Sequence, residues 1–252
     1  MIKIIMHGCN GKVGQVISNL ISDYPDLEIV AGVDPNLAAP NPYPVFQNIH
    51  DCFVEADVII DFSIAHAVPS LLDFAKSRQL PVVVCTTGLN DEQILLVENT
   101  GNSIPVFFSA NMSLGVNLLI NLAKRATEIL SDSSFDIEIV EKHHNNKIDA
   151  PSGTALAIAD ALQDTLDNEY SLCFDRSQIR EARPKKEIGV HAIRGGTIVG
   201  DHDIIFAGND EVLTLSHSAS SKDVFAVGAL KAAKFLAYKR PGVYNMAHLL
   251  NQ

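Results

Sequence analysis

Short apolar runs alternate with stretches of helical period through the first half of the chain. Residues 2–6, 27–33, 58–62, 82–85 and 106–108 read as strands, and apolar positions recurring every three to four residues predict helices over 13–22, 68–78 and 91–98. Strand, helix, strand at this spacing is the pattern of a parallel sheet covered on both faces. Four prolines (Pro35, Pro40, Pro42, Pro44) interrupt the rhythm and predict irregular surface there.

The second half has a different rhythm. A long helix is expected over 116–130, then a strand over 136–141, where Asp136-Ile137-Glu138-Ile139-Val140-Glu141 alternates polar and apolar as a strand with one covered face would. A helix over 155–166 and a charged loop over 180–186 follow. Runs at 190–194, 203–207 and 212–216 suggest an antiparallel meander, and 225–238 a closing helix. The change of rhythm near residue 113 predicts two domains: 1–113, completed by about 223–252, and 114–222.

Composition narrows the class. With 47% apolar and 19% charged residues the chain is an ordinary globular one, and no apolar run approaches the roughly 18 residues of a membrane span. The first residues read as a strand rather than a signal segment, so a cytoplasmic protein is expected. Lys and Arg total 19 against 30 Asp and Glu, a formal charge of −11, which disfavours nucleic acid as a partner. An anionic ligand would then need a local basic cluster. Cys9, Cys52, Cys85 and Cys173 form no C-x-x-C pair and read as reduced thiols.

Gly8, Gly11 and Gly14 follow the first strand in the stretch His7-Gly8-Cys9-Asn10-Gly11-Lys12-Val13-Gly14. G-x-x-G-x-x-G between a strand and a helix is a variant of the dinucleotide fingerprint: a tight turn, close backbone approach to a pyrophosphate, and helix N–H groups facing the phosphates. Asp34 ends the second strand twenty positions beyond Gly14. It is placed either to accept from adenosine ribose hydroxyls or to cap the following turn. An acid there, with Pro35 next to it, leans towards NADH, while Lys12 leaves NADPH usable.

The densest chemistry lies in Glu141-Lys142-His143-His144-Asn145-Asn146-Lys147-Ile148-Asp149-Ala150-Pro151-Ser152-Gly153-Thr154. Histidine gives or takes a proton near neutrality, and a neighbouring ammonium can bind a carboxylate or protonate a carbanion. Ser152-Gly153-Thr154 opens a helix, where free N–H groups attract anions. Together these suit a small polycarboxylate. A solvated loop, plain N-capping by Ser152 or Thr154, and a metal site are the competing readings. The last is disfavoured because His143 and His144, as neighbours leaving a strand, face opposite ways.

The stretch E-x-H-H-x-x-K-x-D-A-P-S-G-T-A resembles the signature loop of the dihydrodipicolinate reductase family. The resemblance extends along the chain: the glycine loop, Asp61-Phe62-Ser63, Thr86-Thr87-Gly88, the run from Ser109 to Asn117, Arg194-Gly195-Gly196 with Ile198 to His202, Phe225-Ala226 with Gly228-Ala229, and Gly242, Tyr244 and Met246. It implies a Rossmann-type dinucleotide-binding domain joined by hinges to an α+β substrate domain, with a mixed or antiparallel sheet, that forms a homotetramer. It implies NADH or NADPH as cofactor and a small dicarboxylate as substrate. Hydride would go to C4 of the ring as water leaves, with a proton delivered at C3. His143 would be the acid/base group and Lys147 the proton donor; His144, Gly153 and Thr154 would hold substrate carboxylates. Gly8, Cys9, Asn10, Gly11, Lys12, Val13 and Asp34 would hold the adenosine half of the cofactor. Cys85, Thr86, Thr87, Ser109, Ala110, Asn111 and Met112 would line the nicotinamide half.

Two positions depart from the family pattern: Cys85 stands where many relatives have Gly, and Thr197 replaces a common acid. The rival readings are another two-domain NAD(P)-dependent dehydrogenase and a nucleotide-sensing regulator without catalysis. Neither accounts for His143, His144 and Lys147 beside Ser152-Gly153-Thr154.

Overall fold

The structure, a computed structural model, describes residues 1–251. Packing divides the chain into two compact units. Met1–Leu114 together with the segment from Asp223 onward form the first, and Gly115–Lys222 the second.

The first unit is built on a seven-stranded parallel sheet. Its strands are β1 (Ile2–His7), β2 (Leu27–Val33), β3 (Val45–Phe46), β4 (Val58–Asp61), β5 (Val82–Val84) and β6 (Pro105–Phe108), with β12 (Gly242–Tyr244) at the far edge. Their spatial order is β12-β6-β5-β4-β1-β2-β3. Helices α1 (Lys12–Leu20), α2 (Val68–Arg78) and α3 (Asp91–Thr100) connect the strands, and α6 (Asp223–Leu236) packs with them. Both faces of the sheet are apolar because both are covered. Ile4, Met6, Val58, Ile60 and Val83 join Ile17 and the Ala229–Leu230–Ala233 face of α6. The intervening Ile5, Ile59, Val82 and Val84 pack on Leu71, Leu72 and Ala75 of α2. The chain reverses direction of sheet growth between β1 and β4, and in such sheets ligands bind beyond the strand carboxyl ends at that switch point.

The Pro-rich segment is not wholly irregular. Val45 and Phe46 form β3, a parallel edge strand on Gly32 and Val33, with Pro44 contributing only its carbonyl, to Gly32 N–H. Proline lacks a donor but keeps its acceptor, so it is tolerated at the start of an edge strand.

The second unit carries a five-stranded mixed sheet of order β11-β10-β7-β9-β8. The strands are β7 (Asp136–His143), β8 (Ser171–Cys173), β9 (Glu187–Arg194), β10 (Gly200–Ala207) and β11 (Val212–Ala219). The expected antiparallel meander is corrected: β10 pairs antiparallel with β7 and β11, but β9 lies on the other side of β7 and parallel to it. The crossover through α5 (Gly153–Thr165) brings the chain back in the same direction, so β8 and β9 align with β7. The helix before β7, α4 (Leu114–Leu130), starts two residues earlier than its apolar period predicts. Ile137 and Ile139 of β7, Ile188 and Val190 of β9, and Ile204 and Phe206 of β10 pack under α4 and α5. The other face carries Val140 and Ile205, which are half-buried, and Ile193 and Val212, which are exposed. A short helix, α7 (Met246–Leu250), ends the described chain.

Candidate active site

The strand-to-helix turn after β1 has the shape a pyrophosphate needs. Gly8 sits at φ +80°, and a Cβ there would fall 2.5 Å from the Phe62 carbonyl oxygen. Gly14 lets α1 lie against the turn, since its Cβ would be 2.2 Å from the Gly8 carbonyl oxygen. Helix α1 starts at Gly11 with no side-chain cap and no acid in its first turn. Its leading N–H groups and positive dipole end are thus left for an anion, which is the fit a dinucleotide requires. Lys12 is exposed on that first turn.

Asp34 is 9% exposed and already engaged. Its carboxylate accepts Asn10 N–H at 3.0 Å and Asn36 N–H at 2.9 Å, tying the glycine loop to the turn after β2. The capping reading of Asp34 therefore holds, and the remaining lone pairs are what a ribose would meet. Asn41 completes the surroundings, donating to the Asn10 amide oxygen at 2.7 Å.

The second stretch of expected cofactor residues follows β5. Thr86 is buried, and its hydroxyl donates to Asp61 at 2.7 Å; the same carboxylate pairs with His7 Nδ1 at 2.7 Å and accepts Ser63 N–H at 3.1 Å. Asp61, fully buried, thereby knots the ends of β1 and β4 to the Thr86-Thr87 turn. Its place in the site was not foreseen, although D-F-S is part of the resemblance. Cys9 and Cys85 are buried, and burial pushes the Cys9 thiol up to about 11 and that of Cys85 up as well. Both side chains are packed into the core of the first unit. Ser109 donates to the Asn111 carbonyl at 2.9 Å, and the Asn111 side chain accepts Ser113 N–H at 2.8 Å. These bonds set the turn containing Ala110 and the buried Met112.

The third stretch lies wholly in the second unit. Along β7 the odd residues face the helices, so Glu141 continues the row of Ile137 and Ile139 and is fully buried beneath the start of α5. His143 is next in that row, with Nδ1 2.6 Å from Glu141 Oε2. Arg194, at the end of β9, donates to both oxygens of Glu141 at 2.8 and 2.7 Å, and Ser152 N–H donates to Oε1 at 2.9 Å. Burial pushes Glu141 up, but Arg194, His143 and Ser152 outweigh it and hold the carboxyl below its usual range. Arg194 also reaches the Asp149 carbonyl at 2.6 Å, while Gly195 N–H bonds the His143 carbonyl and Asn145 N–H the Gly196 carbonyl. The loop carrying Lys147 is thus pinned along its length.

His202 of β10 stacks edge-on against His143 with centroids 5.3 Å apart, and its Nε2 lies 3.2 Å from the Ser152 hydroxyl. Burial first, then the His143 ring, pushes His202 down to about 4, so it is neutral beside His143. Lys147 pairs with Asp149 at 2.8 Å, and that bond holds the Asp149 carboxyl below its ordinary value. His144 Nδ1 is buried and has no hydrogen-bond partner among the described residues. Gly153 opens α5, capped by the Ser152 hydroxyl on Ala155 N–H, and a Cβ on Gly153 would meet nothing within 4 Å. Thr154 follows it in the first turn.

The structure puts His143 at the end of β7, His144 and Lys147 in the loop after it, and Gly153 and Thr154 at the start of α5, and it adds Glu141, Arg194 and His202 around His143. Glu141 was legible as the residue sharing the strand face of His143. The pairing of Arg194 with Glu141, 53 positions apart, has no signal in a single sequence.

Comparison with known proteins agrees across the whole chain. Residues 2–112 match the family model for the dihydrodipicolinate reductase N-terminus, and residues 115–250 that for its C-terminus. The chain is 53% identical over 252 residues to the 4-hydroxy-tetrahydrodipicolinate reductase of Caldanaerobacter subterraneus subsp. tengcongensis, covering 100% of this chain and 99% of that one. It is 48% identical over 251 residues to the enzyme of the same name from Clostridium tetani, covering 100% and 98%. A dipicolinate-bound dihydrodipicolinate reductase from Paenisporosarcina sp. TG-14 shares the fold, with TM-score 0.81 at 24% identity over 97% of both chains. The chain belongs to the dihydrodipicolinate reductase family, oxidoreductases dependent on NADH or NADPH.

Proposed function

We propose that this chain reduces 4-hydroxy-tetrahydrodipicolinate to tetrahydrodipicolinate, with loss of water and oxidation of NADH or NADPH, in the diaminopimelate route to lysine. The observation that carries the reading is the stretch 141–154, where an imidazole, an ammonium and a helix N-terminus lie in one short segment. His144, Gly153 and Thr154 bind the substrate carboxylates. Lys147 Nζ gives a proton to the ring carbon beside the one reduced, and His143 acts as acid/base through Nε2. Bound nicotinamide supplies the hydride, a step whose chemistry belongs to the cofactor. Gly8 to Val13 and Asp34 hold the adenosine half, and Cys85 to Thr87 with Ser109 to Met112 line the other.

Residues 1–113 with about 223–252 are the dinucleotide-binding domain, and 114–222 the substrate and oligomerisation domain. The sheet face of the second unit with Ile193 47% and Val212 63% exposed supports a homotetramer, tested by light scattering for four times the chain mass. No helix among the described residues is long and apolar enough to cross a membrane, in keeping with a cytoplasmic enzyme. Asp34 among the amides of Asn10, Asn36 and Asn41, followed by Pro35, favours NADH, since a 2′-phosphate would face a carboxylate without a compensating guanidinium.

The test is to form the substrate in situ from pyruvate and aspartate semialdehyde with the preceding synthase, and to follow nicotinamide absorbance with each cofactor. Rapid oxidation, faster with NADH, is expected. No oxidation by a folded protein that still binds cofactor would overturn the reading. Gly153→Ala should raise substrate KM about tenfold, the equivalent of about 1.4 kcal/mol, with kcat nearly unchanged, because its methyl would occupy space reserved for a carboxylate. An unchanged KM would remove Gly153 from substrate binding.

A further inference from the structure

We propose that Glu141 is a positioning residue for the reaction, held in charge and orientation by Arg194 so that it fixes His143 as the Nδ1–H tautomer and leaves Nε2 as the working nitrogen. This rests on the reading of His143 as the acid/base group. Glu141 is fully buried, and four hydrogen bonds converge on its two oxygens. Oε1 accepts Arg194 Nη2 and Ser152 N–H; Oε2 accepts Arg194 Nη1 and His143 Nδ1. Three of those four donors, the two N–H groups of the Arg194 guanidinium and the Ser152 peptide N–H, cannot reverse direction. Only the imidazole can, and against an acceptor-only carboxylate it must present N–H from Nδ1. Its Nε2 then lies on the side of Gly200, where a Cβ would come within 3.0 Å of it, so glycine leaves that nitrogen uncrowded. His202, edge-on to the same ring, limits rotation about χ2. The arrangement is the logic of a buried acid that orients a catalytic imidazole without exchanging protons itself.

The substitution Glu141→Gln separates this role from simple support. The amide keeps the shape but must turn its NH2 towards one pair of donors. At the Oε1 position it would face Arg194 and Ser152 N–H, neither of which can accept. At the Oε2 position it faces Arg194 and His143, and the imidazole alone can respond, by accepting at Nδ1 and moving its proton to Nε2. The readout is the nitrogen-15 spectrum of the His143 ring at alkaline pH, where imidazoles are neutral, combined with steady-state kinetics.

The wild-type protein should show Nδ1–H, and Glu141→Gln should show Nε2–H. Turnover in Glu141→Gln should fall by roughly a hundredfold to ten-thousandfold, the range set by loss of general acid–base catalysis and by a wrong tautomer, with substrate KM within about threefold. Glu141→Asp should restore the Nδ1–H form and part of the turnover. The double variant with His143→Ala should be no slower than His143→Ala alone, because Glu141 acts through that ring. An Nε2–H ring in the wild-type protein, which needs no variant to fold, would overturn the proposal, as would full additivity in the double variant. Undiminished turnover in His143→Ala overturns the acid/base reading, and the proposal with it. That result differs from a wrong tautomer with the acid/base role intact, which sinks only the proposal.

Discussion

Lys147→Ala should lower turnover about a hundredfold, the usual scale for a lost proton donor, while leaving cofactor affinity unchanged. The residues expected to bind the dinucleotide lie on the turns after β1, β2, β5 and β6 of the first unit, whereas Lys147 belongs to the second. The protein should stay folded, because the one ion pair lost is with Asp149, whose side chain is 57% exposed, and such pairs contribute little. The main-chain bonds that pin the loop, Gly195 N–H to the His143 carbonyl and Asn145 N–H to the Gly196 carbonyl, do not involve the lysine side chain. In the structure the ammonium is held by Asp149, so a substrate carboxylate must compete for it. Asp149→Asn should therefore change substrate KM more than kcat. Steady-state kinetics with the in situ substrate decide the matter, alongside cofactor titration by fluorescence. An unchanged kcat in Lys147→Ala would remove Lys147 from the mechanism, and a loss confined to KM would make it a carboxylate ligand only.

How far these features could be read beforehand depends on the distance over which each is encoded. The glycine turn and its flanking strand and helix are local: an apolar run, three glycines at fixed spacing and a helical period lie within twenty residues. The first unit was accordingly legible as a covered parallel sheet. Strand direction in the second unit was not. The alternation in β9 is the same whether it lies parallel or antiparallel to β7; what decides is the crossover through α5, and periodicity carries no information about that. β3, two residues long, is below the length at which a pattern exists. In the site, the alternation of β7 already places Glu141 and His143 on the face of Ile137 and Ile139. In β10 the same period puts His202 on the face of Ile204 and Phe206. Both core-facing positions were therefore readable. The contacts that give them meaning, Arg194 on Glu141 and Ser152 on His202, join elements 53 and 50 residues apart and exist only in the folded chain.

Such buried polar groups leave a signature in stability. His202 is 4% exposed, its Nε2 is near the Ser152 hydroxyl, and its Nδ1 has no hydrogen-bond partner among the described residues. Burial first, and then the neighbouring His143 ring, push the group down to about 4 from the ordinary 6.5. The unfolded chain then binds a proton that the folded one refuses between those two values, so stability is lost as pH falls through that window and levels off below about 4. His217, opposite His202 on β11, is shifted downward by burial in the same sense. Glu141 acts in a lower window: its folded value is depressed, so its contribution is intact above the usual carboxylate range and is lost only below it. Between pH 7 and pH 5 the histidine effect is therefore separable. His202 alone should cost the wild-type protein about 2 kcal/mol of unfolding free energy over that interval, from roughly 1.4 kcal/mol per pH unit below the unfolded value. His202→Gln, which cannot titrate, should recover most of that difference in urea unfolding curves taken at the two pH values. Equal losses in wild-type and His202→Gln protein would show that His202 is as easily protonated folded as unfolded, and that the ring beside His143 carries charge after all.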